Sequence, residues 1–238
     1  MSKVVLMEFS AEESAFNQRI RDVYNSGDCG RAVELAKEFL DKFPNSPLAL
    51  YNYAVMHGDY SYSPEHTPEE KKRLLEIAKK GISDLFNHPQ LQDWPIQFQI
   101  AVKNEYFWFF ELHLEQYQLG IEEVMNGRPG HYSACVGASM LAYKRLEQSI
   151  EDAEDWAKRS VYHFKEFEKS NPNWYNINIF AAQALACMGQ YEEALTCFKD
   201  QFRKQGKAED AKKIGEFLDK IDRIKKLRGD EDKKISNS

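Results

Sequence analysis

Apolar residues along this chain recur three and four positions apart. Val33, Ala36, Phe39, Leu40 and Phe43 form one such stripe, and Leu74, Ile77, Ala78, Ile82 and Leu85 a second. Phe217, Leu218, Ile221, Ile224 and Leu227 form a third. Strict alternation, the mark of a half-buried strand, never persists, so the periodicity predicts helices throughout. Start signals fall where that reading needs them. Ser10-Ala-Glu-Glu13 fits a capping box, in which hydroxyl and carboxylate each meet an orphan backbone N–H. Thr67-Pro68-Glu69-Glu70 adds a proline at the first helical position, where its missing N–H costs nothing, and Ser46-Pro47 follows the same logic. Asp93, ahead of Trp94-Pro95, is a further start. Breaks are predicted at Ser26-Gly27, Pro44, His57-Gly58, His88-Pro89, Asn126 to Gly130, Asn171-Pro172, Met188-Gly189 and Gln205-Gly206. The expectation is a string of antiparallel helices of about four turns each, joined by short connections. The main irregular insert runs from Asp59 to Thr67, and the polar tail after Arg228 is expected to fray.

Two segments share a finer pattern. One reads Tyr24-Asn-Ser-Gly27-Asp28-Cys-Gly-Arg-Ala32, followed by Ala36, Phe39 and Pro44; the other reads Ala186-Cys-Met-Gly189-Gln190-Tyr191-Glu-Glu-Ala194, followed by Phe198. In both, alanine follows glycine by five positions. Such a glycine ends one helix, and the small residue lets the next lie close against it. Both segments resemble the tetratricopeptide repeat, a helix–turn–helix unit of about 34 residues. Pro44 stands where that family places a late proline, and Ala54, Ala181 and Ala182 stand where it packs helix against helix. The resemblance covers residues 12–60 and 173–205. It implies an all-α fold, an α-solenoid of antiparallel hairpins in one domain over residues 1–238. Residues 11–45 form the first hairpin, 46–88 a second with a loop insert, 93–170 atypical central helices, 173–205 the last hairpin, 207–228 a capping helix and 229–238 a flexible tail. The centre lacks a repeat signature. It holds either two ordinary repeats or, as the favoured architecture has it, one longer hairpin turning at Asn126 to Gly130.

Composition narrows the function. Hydrophobic residues make up 42% of the 238 positions and charged residues 29%, which is globular rather than disordered. The net charge of -6 leaves no excess of cations to neutralise phosphates, which argues against a nucleic-acid partner. Lys212, Lys213, Lys220, Arg223, Lys225, Lys226 and Arg228 in the last helix are interleaved with Glu209, Asp210, Glu216, Asp219 and Asp222, as on a solvated face. The apolar stretch Val4 to Met7 is too short for a membrane span or signal core, so no membrane partner is expected. Cys29, Cys135, Cys187 and Cys197 show no Cys-x-x-Cys spacing and read as reduced thiols of a cytoplasmic protein.

No catalytic, metal or cofactor site is expected. The six histidines form no His-Glu-x-x-His pair and no cluster with cysteine, and Arg128-Pro-Gly-His131 lacks the glycine spacing and lysine of a phosphate loop. The run Tyr106-Phe-Trp-Phe-Phe110 reads as a core helix before it reads as a pocket. In the family the chain resembles, first-helix side chains line a concave groove. Carried onto this sequence, that implies Asn17, Arg21, Tyr24 and Asn25 from the first hairpin. Tyr51, Asn52 and Val55 follow from the second, and Asn176, Ile179 and Gln183 from the last. The expected function is a protein–protein interaction module, an adaptor, scaffold or chaperone-like binder, holding a partner peptide or helix there without chemistry. A clamp for an acidic C-terminus is not supported, because Asn17 and Arg21 stand where its first Lys and Asn belong. Two rivals stay open. One is an enzyme or small-ligand binder with a pocket near the central aromatic helices, using Glu111, His113 or His131. The other is a self-assembling protein that forms a homodimer through the central segment.

Overall fold

The start signals become caps. The Ser10 hydroxyl accepts the Glu13 N–H at 3.2 Å while the Glu13 carboxylate accepts the Ser10 N–H at 2.8 Å, opening α1 (Ala11–Ser26). Thr67 and Glu70 repeat the box ahead of α4 (Pro68–Phe86), and Ser46 caps α3 (Pro47–Ser61). The computed structural model describes residues 9–230, so the expectation of a fraying tail falls mainly on residues outside that range. The remaining helices are α2 (Cys29–Lys42), α5 (Ile96–Phe109), α6 (His113–Met125), α7 (His131–Arg145), α8 (Ile150–Ser170), α9 (Asn178–Cys187), α10 (Tyr191–Lys204) and α11 (Ala211–Arg228). One 3-10 turn spans Leu91–Asp93, and there is no strand among the described residues. None of the described helices is long and apolar enough to cross a membrane.

Three expectations need correction. His57-Gly58 is no break: α3 runs through it to Ser61. Gly58 is there because a side chain would not fit, since a Cβ would lie 2.3 Å from the Phe109 ring. Asp93 caps nothing; it sits in the 3-10 turn, and α5 starts after Pro95 with no side-chain cap. The centre is not one long hairpin but four helices, α5 to α8. It breaks at Phe110 to Leu112, where Glu111 adopts a φ of 57°, and again at Leu146 to Ser149.

The chain divides at Glu111 into two compact units, Met1–Glu111 and Leu112–Ser238. In the first, each of α1 to α4 packs on its successor, and α1 also meets α3. Ile20, Ala32, Leu35, Phe39, Ala78, Ile82 and Val102 are buried at its centre. Phe16 stacks on Phe39 at 5.1 Å, and Phe86 on Tyr106 at 3.9 Å. The aromatic run of α5 is therefore used as core filling, with Phe109 buried and Phe110 at the edge.

In the second unit α6 packs on α7, α7 on both α8 and α9, α9 on α10 and α11, and α10 on α11. The α6–α7 crossing is built from glycines. A Cβ on Gly120 would meet the Ala134 nitrogen at 2.4 Å, and one on Gly137 the His113 carbonyl oxygen at 2.7 Å. Farther along, Phe198 stacks on Phe217 at 4.2 Å, while Ala194, Ile221 and Ile224 are fully buried. The last helix is tied down through Arg228, which bonds Glu154 at 2.8 Å, Asp230 at 3.1 Å and the Cys187 carbonyl. All four cysteines are free thiols.

Gly27 and Gly189 take positive φ, 95° and 76°, and the alanines five positions later, Ala32 and Ala194, are 0% exposed. Enlarging either alanine to leucine should overpack its hairpin by about 1–3 kcal/mol. Thermal melts check this, and a Leu variant that melts with the wild type would show these positions are not the tight crossings.

Candidate functional site

On the first unit, one polar cluster joins α1, α3 and α5. The Tyr24 hydroxyl donates to the carboxylate of Asp59, which lies one turn from the end of α3. Glu105 on α5 lies close enough for the negative charge of Asp59 to act on it, and the Asn104 amide donates to its carboxylate. Beside them the Trp108 indole N–H donates to the Tyr62 hydroxyl. Tyr62 itself is 62% exposed, while Tyr24, Asp59, Glu105 and Trp108 are partly buried.

The electrostatics of this cluster are unusual. Burial pushes Glu105 up from 4.5 to about 8, and the charge of Asp59 adds to the effect. Burial also pushes Asp59 up from 3.8 to about 6, with the Tyr24 hydrogen bond working against it. Among the described residues no cation acts on either carboxylate. Near neutral pH the pair therefore holds about one proton and one negative charge.

The groove residues read from the sequence fare unequally. Seven lie in the first unit and three in the second. Arg21 and Asn25 are exposed and Asn17 partly so. Tyr24 is drawn inward to Asp59. Tyr51 turns its edge to Phe98 at 5.4 Å, and Val55 packs against the same core. Asn52 is 4% exposed and its amide donates to the Leu48 carbonyl at 2.8 Å, so it is spent within α3. In the second unit Ile179 is exposed and Asn176 partly buried. Gln183 is buried and donates to the Ser139 carbonyl at 2.9 Å and its hydroxyl at 3.1 Å, which ties α9 to α7. Asn52 and Gln183 therefore hold the fold rather than face a guest.

The second unit contains a cavity of about 470 Å³ between α6 and α8. Tyr117, Ile121 and Val124 come from α6, Lys158, Arg159, Tyr162 and His163 from α8, and His131 from the first residue of α7. The Nδ1 atoms of His131 and His163 are 2.8 Å apart, so one ring donates and the other accepts. Burial, with the charge of His131 second, pushes His163 down to about 4. Of the polar residues named for a central pocket, only His131 reaches this one; His113 is buried near the start of α6, and Glu111 belongs to the first unit. No group of three or more metal-ligating side chains occurs among the described residues.

Sequence reasoning missed Asp59 and Glu105 for different reasons. Reading Gly58 as a helix end put Asp59 in a loop. Glu105 stood beside the aromatic run with no sign of its partner. The His131–His163 pair spans 32 positions and has no local signature. Compared with models of known protein families and with curated proteins, the chain matches neither.

Proposed function

We propose that the chain is a tetratricopeptide-like α-solenoid that acts as a protein–protein interaction module. On this reading the α1–α3–α5 face of the first unit holds an extended partner segment carrying a lysine or arginine. The observation that carries the reading is the Asp59–Glu105 pair, two partly buried carboxylates with no cation acting on them among the described residues. A cationic side chain laid between them would allow both to ionise and would recover Coulomb energy that the unbound protein forgoes. Arg21 and Asn25 are exposed on α1 and Asn17 partly so, and the two asparagine amides suit a peptide backbone. Tyr62 and Trp108 supply aromatic contact area of the kind enriched in binding hot spots.

The solenoid part of the reading rests on the paired Gly-to-Ala spacings and on the packing of α1 with α3 and α7 with α9. First helices of neighbouring repeats meet in that way when hairpins stack. On this reading the site works through charge and aromatic surface and binds its partner without chemistry.

Selection of a random peptide library on the whole protein tests the reading. Enriched peptides should carry a lysine or arginine. Their affinity, measured by calorimetry, should fall at least about tenfold, or 1.4 kcal/mol, in the Asp59→Asn, Glu105→Gln double variant. Arg21→Ala with Tyr24→Ala should weaken them by more than about 1 kcal/mol while the melting temperature holds. Peptides without basic residues, or equal affinity for the amide variant, would overturn it.

A further inference from the structure

We propose that the cavity between α6 and α8 of the second unit binds a small aromatic carboxylate. The site lies in a different unit from the peptide face, and neither reading depends on the other. Its volume, about 470 Å³, falls within the roughly 300–1,000 Å³ typical of small-molecule pockets. Tyr117, Ile121 and Val124 on one side and Tyr162 on the other offer apolar and aromatic surface, which suits a flat ring better than a hydrated ion.

The charges in the lining are both positive, Lys158 and Arg159. Lys158 has Asp155 at 3.5 Å, but both side chains are 63% exposed, so that pair is weak and easily exchanged for a ligand. Arg159 is exposed, and its guanidinium lies 4.6 Å over the Trp156 ring. Among the described residues no carboxylate forms a salt bridge with it. A guanidinium presents two parallel N–H groups, the fork that matches a carboxylate.

The histidines complete the donor set. Sharing the Nδ1–Nδ1 hydrogen bond uses one ring N–H, so the neutral pair keeps one more, at Nε2 of the accepting ring. His163 is only 4% exposed, and the nearby Glu166 is engaged by Lys169 at 2.6 Å. The lining therefore combines donors and cations with aromatic walls and contains no acid. An amine would meet repulsion there, and a neutral aromatic would leave the cations unused.

Titration of the full chain with 2-naphthoate and with neutral 2-naphthamide tests this. Calorimetry should show naphthoate binding at least about fivefold more tightly than the amide, and that preference should vanish in Arg159→Gln. In proton NMR, naphthoate should shift the ring signals of His131 and His163, a local readout that needs no variant. Ile121→Trp, which fills the cavity, should abolish binding of both compounds. A peptide's C-terminal phenylalanine offers the same chemistry, so acetyl-Gly-Gly-Phe is titrated alongside and should bind more weakly than naphthoate. The proposal is overturned by the absence of binding, by equal affinity for acid and amide, by unmoved histidine signals, by binding that survives Ile121→Trp, or by tighter binding of the peptide.

Discussion

Gly120→Ala should destabilise the protein, although helix propensity alone says the reverse. In an exposed helix interior, alanine is about 1 kcal/mol better than glycine. At Gly120 the added Cβ would lie 2.4 Å from the Ala134 nitrogen, 2.7 Å from the Gly130 carbonyl oxygen and 2.8 Å from the Ala134 Cα. All three are backbone atoms, so no side chain can swing aside, and α6 must move off α7. Overpacking of this kind costs about 1–3 kcal/mol and more where the obstacle is rigid. The contact should win, leaving a net loss of about 2 kcal/mol and a melting temperature lower by about 4–8 °C. Gly127→Ala is a poor control because Gly127 has a positive φ, whereas Gly215, with open space around its Cβ inside α11, is a good one. Gly215→Ala should raise the melting temperature slightly. If Gly120→Ala does the same, the close α6–α7 approach is wrong.

Glu105→Gln should make the protein more stable than the wild type at alkaline pH and leave it unchanged in acid. The ordinary carboxylate value is 4.5, and in the folded protein Glu105 is pushed up to about 8. Below 4.5 both folded and unfolded chains hold the proton, and Glu105 has no effect on stability. Between that value and about 8 the folded chain keeps a proton the unfolded chain has released, so stability falls as pH rises and stays reduced above it. Glutamine keeps the shape and has no such penalty. The melting temperature of the variant should exceed that of the wild type by at least about 3 °C near pH 8.5 and match it near pH 4. His163, pushed down to about 4 from 6.5, works in the opposite sense and loses stability as pH falls, but it is common to both proteins and cancels in the difference. A gap independent of pH would mean that Glu105 is not the buried acid described here.

The helices were legible because their cause is local. Ser10, Ser46 and Thr67 cap them as read, and the stripes through Phe39, Ile82 and Ile221 face the core. Gly27 and Gly189 end helices with positive φ, as their spacing to Ala32 and Ala194 requires. Glycine also misled the reading. Gly58, read as a break, is a helix-interior residue, and what it accommodates is remote in sequence, a ring from α5. A breaker and a packing glycine look alike until the neighbour is known. Two of the residues assigned to the groove, Asn52 and Gln183, are amides whose partners, Leu48 and Ser139, turned them inward.

What this sequence determined by itself is an all-helical chain among its described residues, with capped helices and two hairpins marked by glycine and alanine. Periodicity and capping act within a few residues, so a linear reading captures them. Only the tertiary structure decided that the central segment is four helices, that the charge of Asp59 acts on a desolvated Glu105 in the first unit, and that His131 meets His163 at the lining of a cavity in the second. Burial and charge coupling depend on distance in space, and residues 32 or 46 positions apart become neighbours only when helices pack.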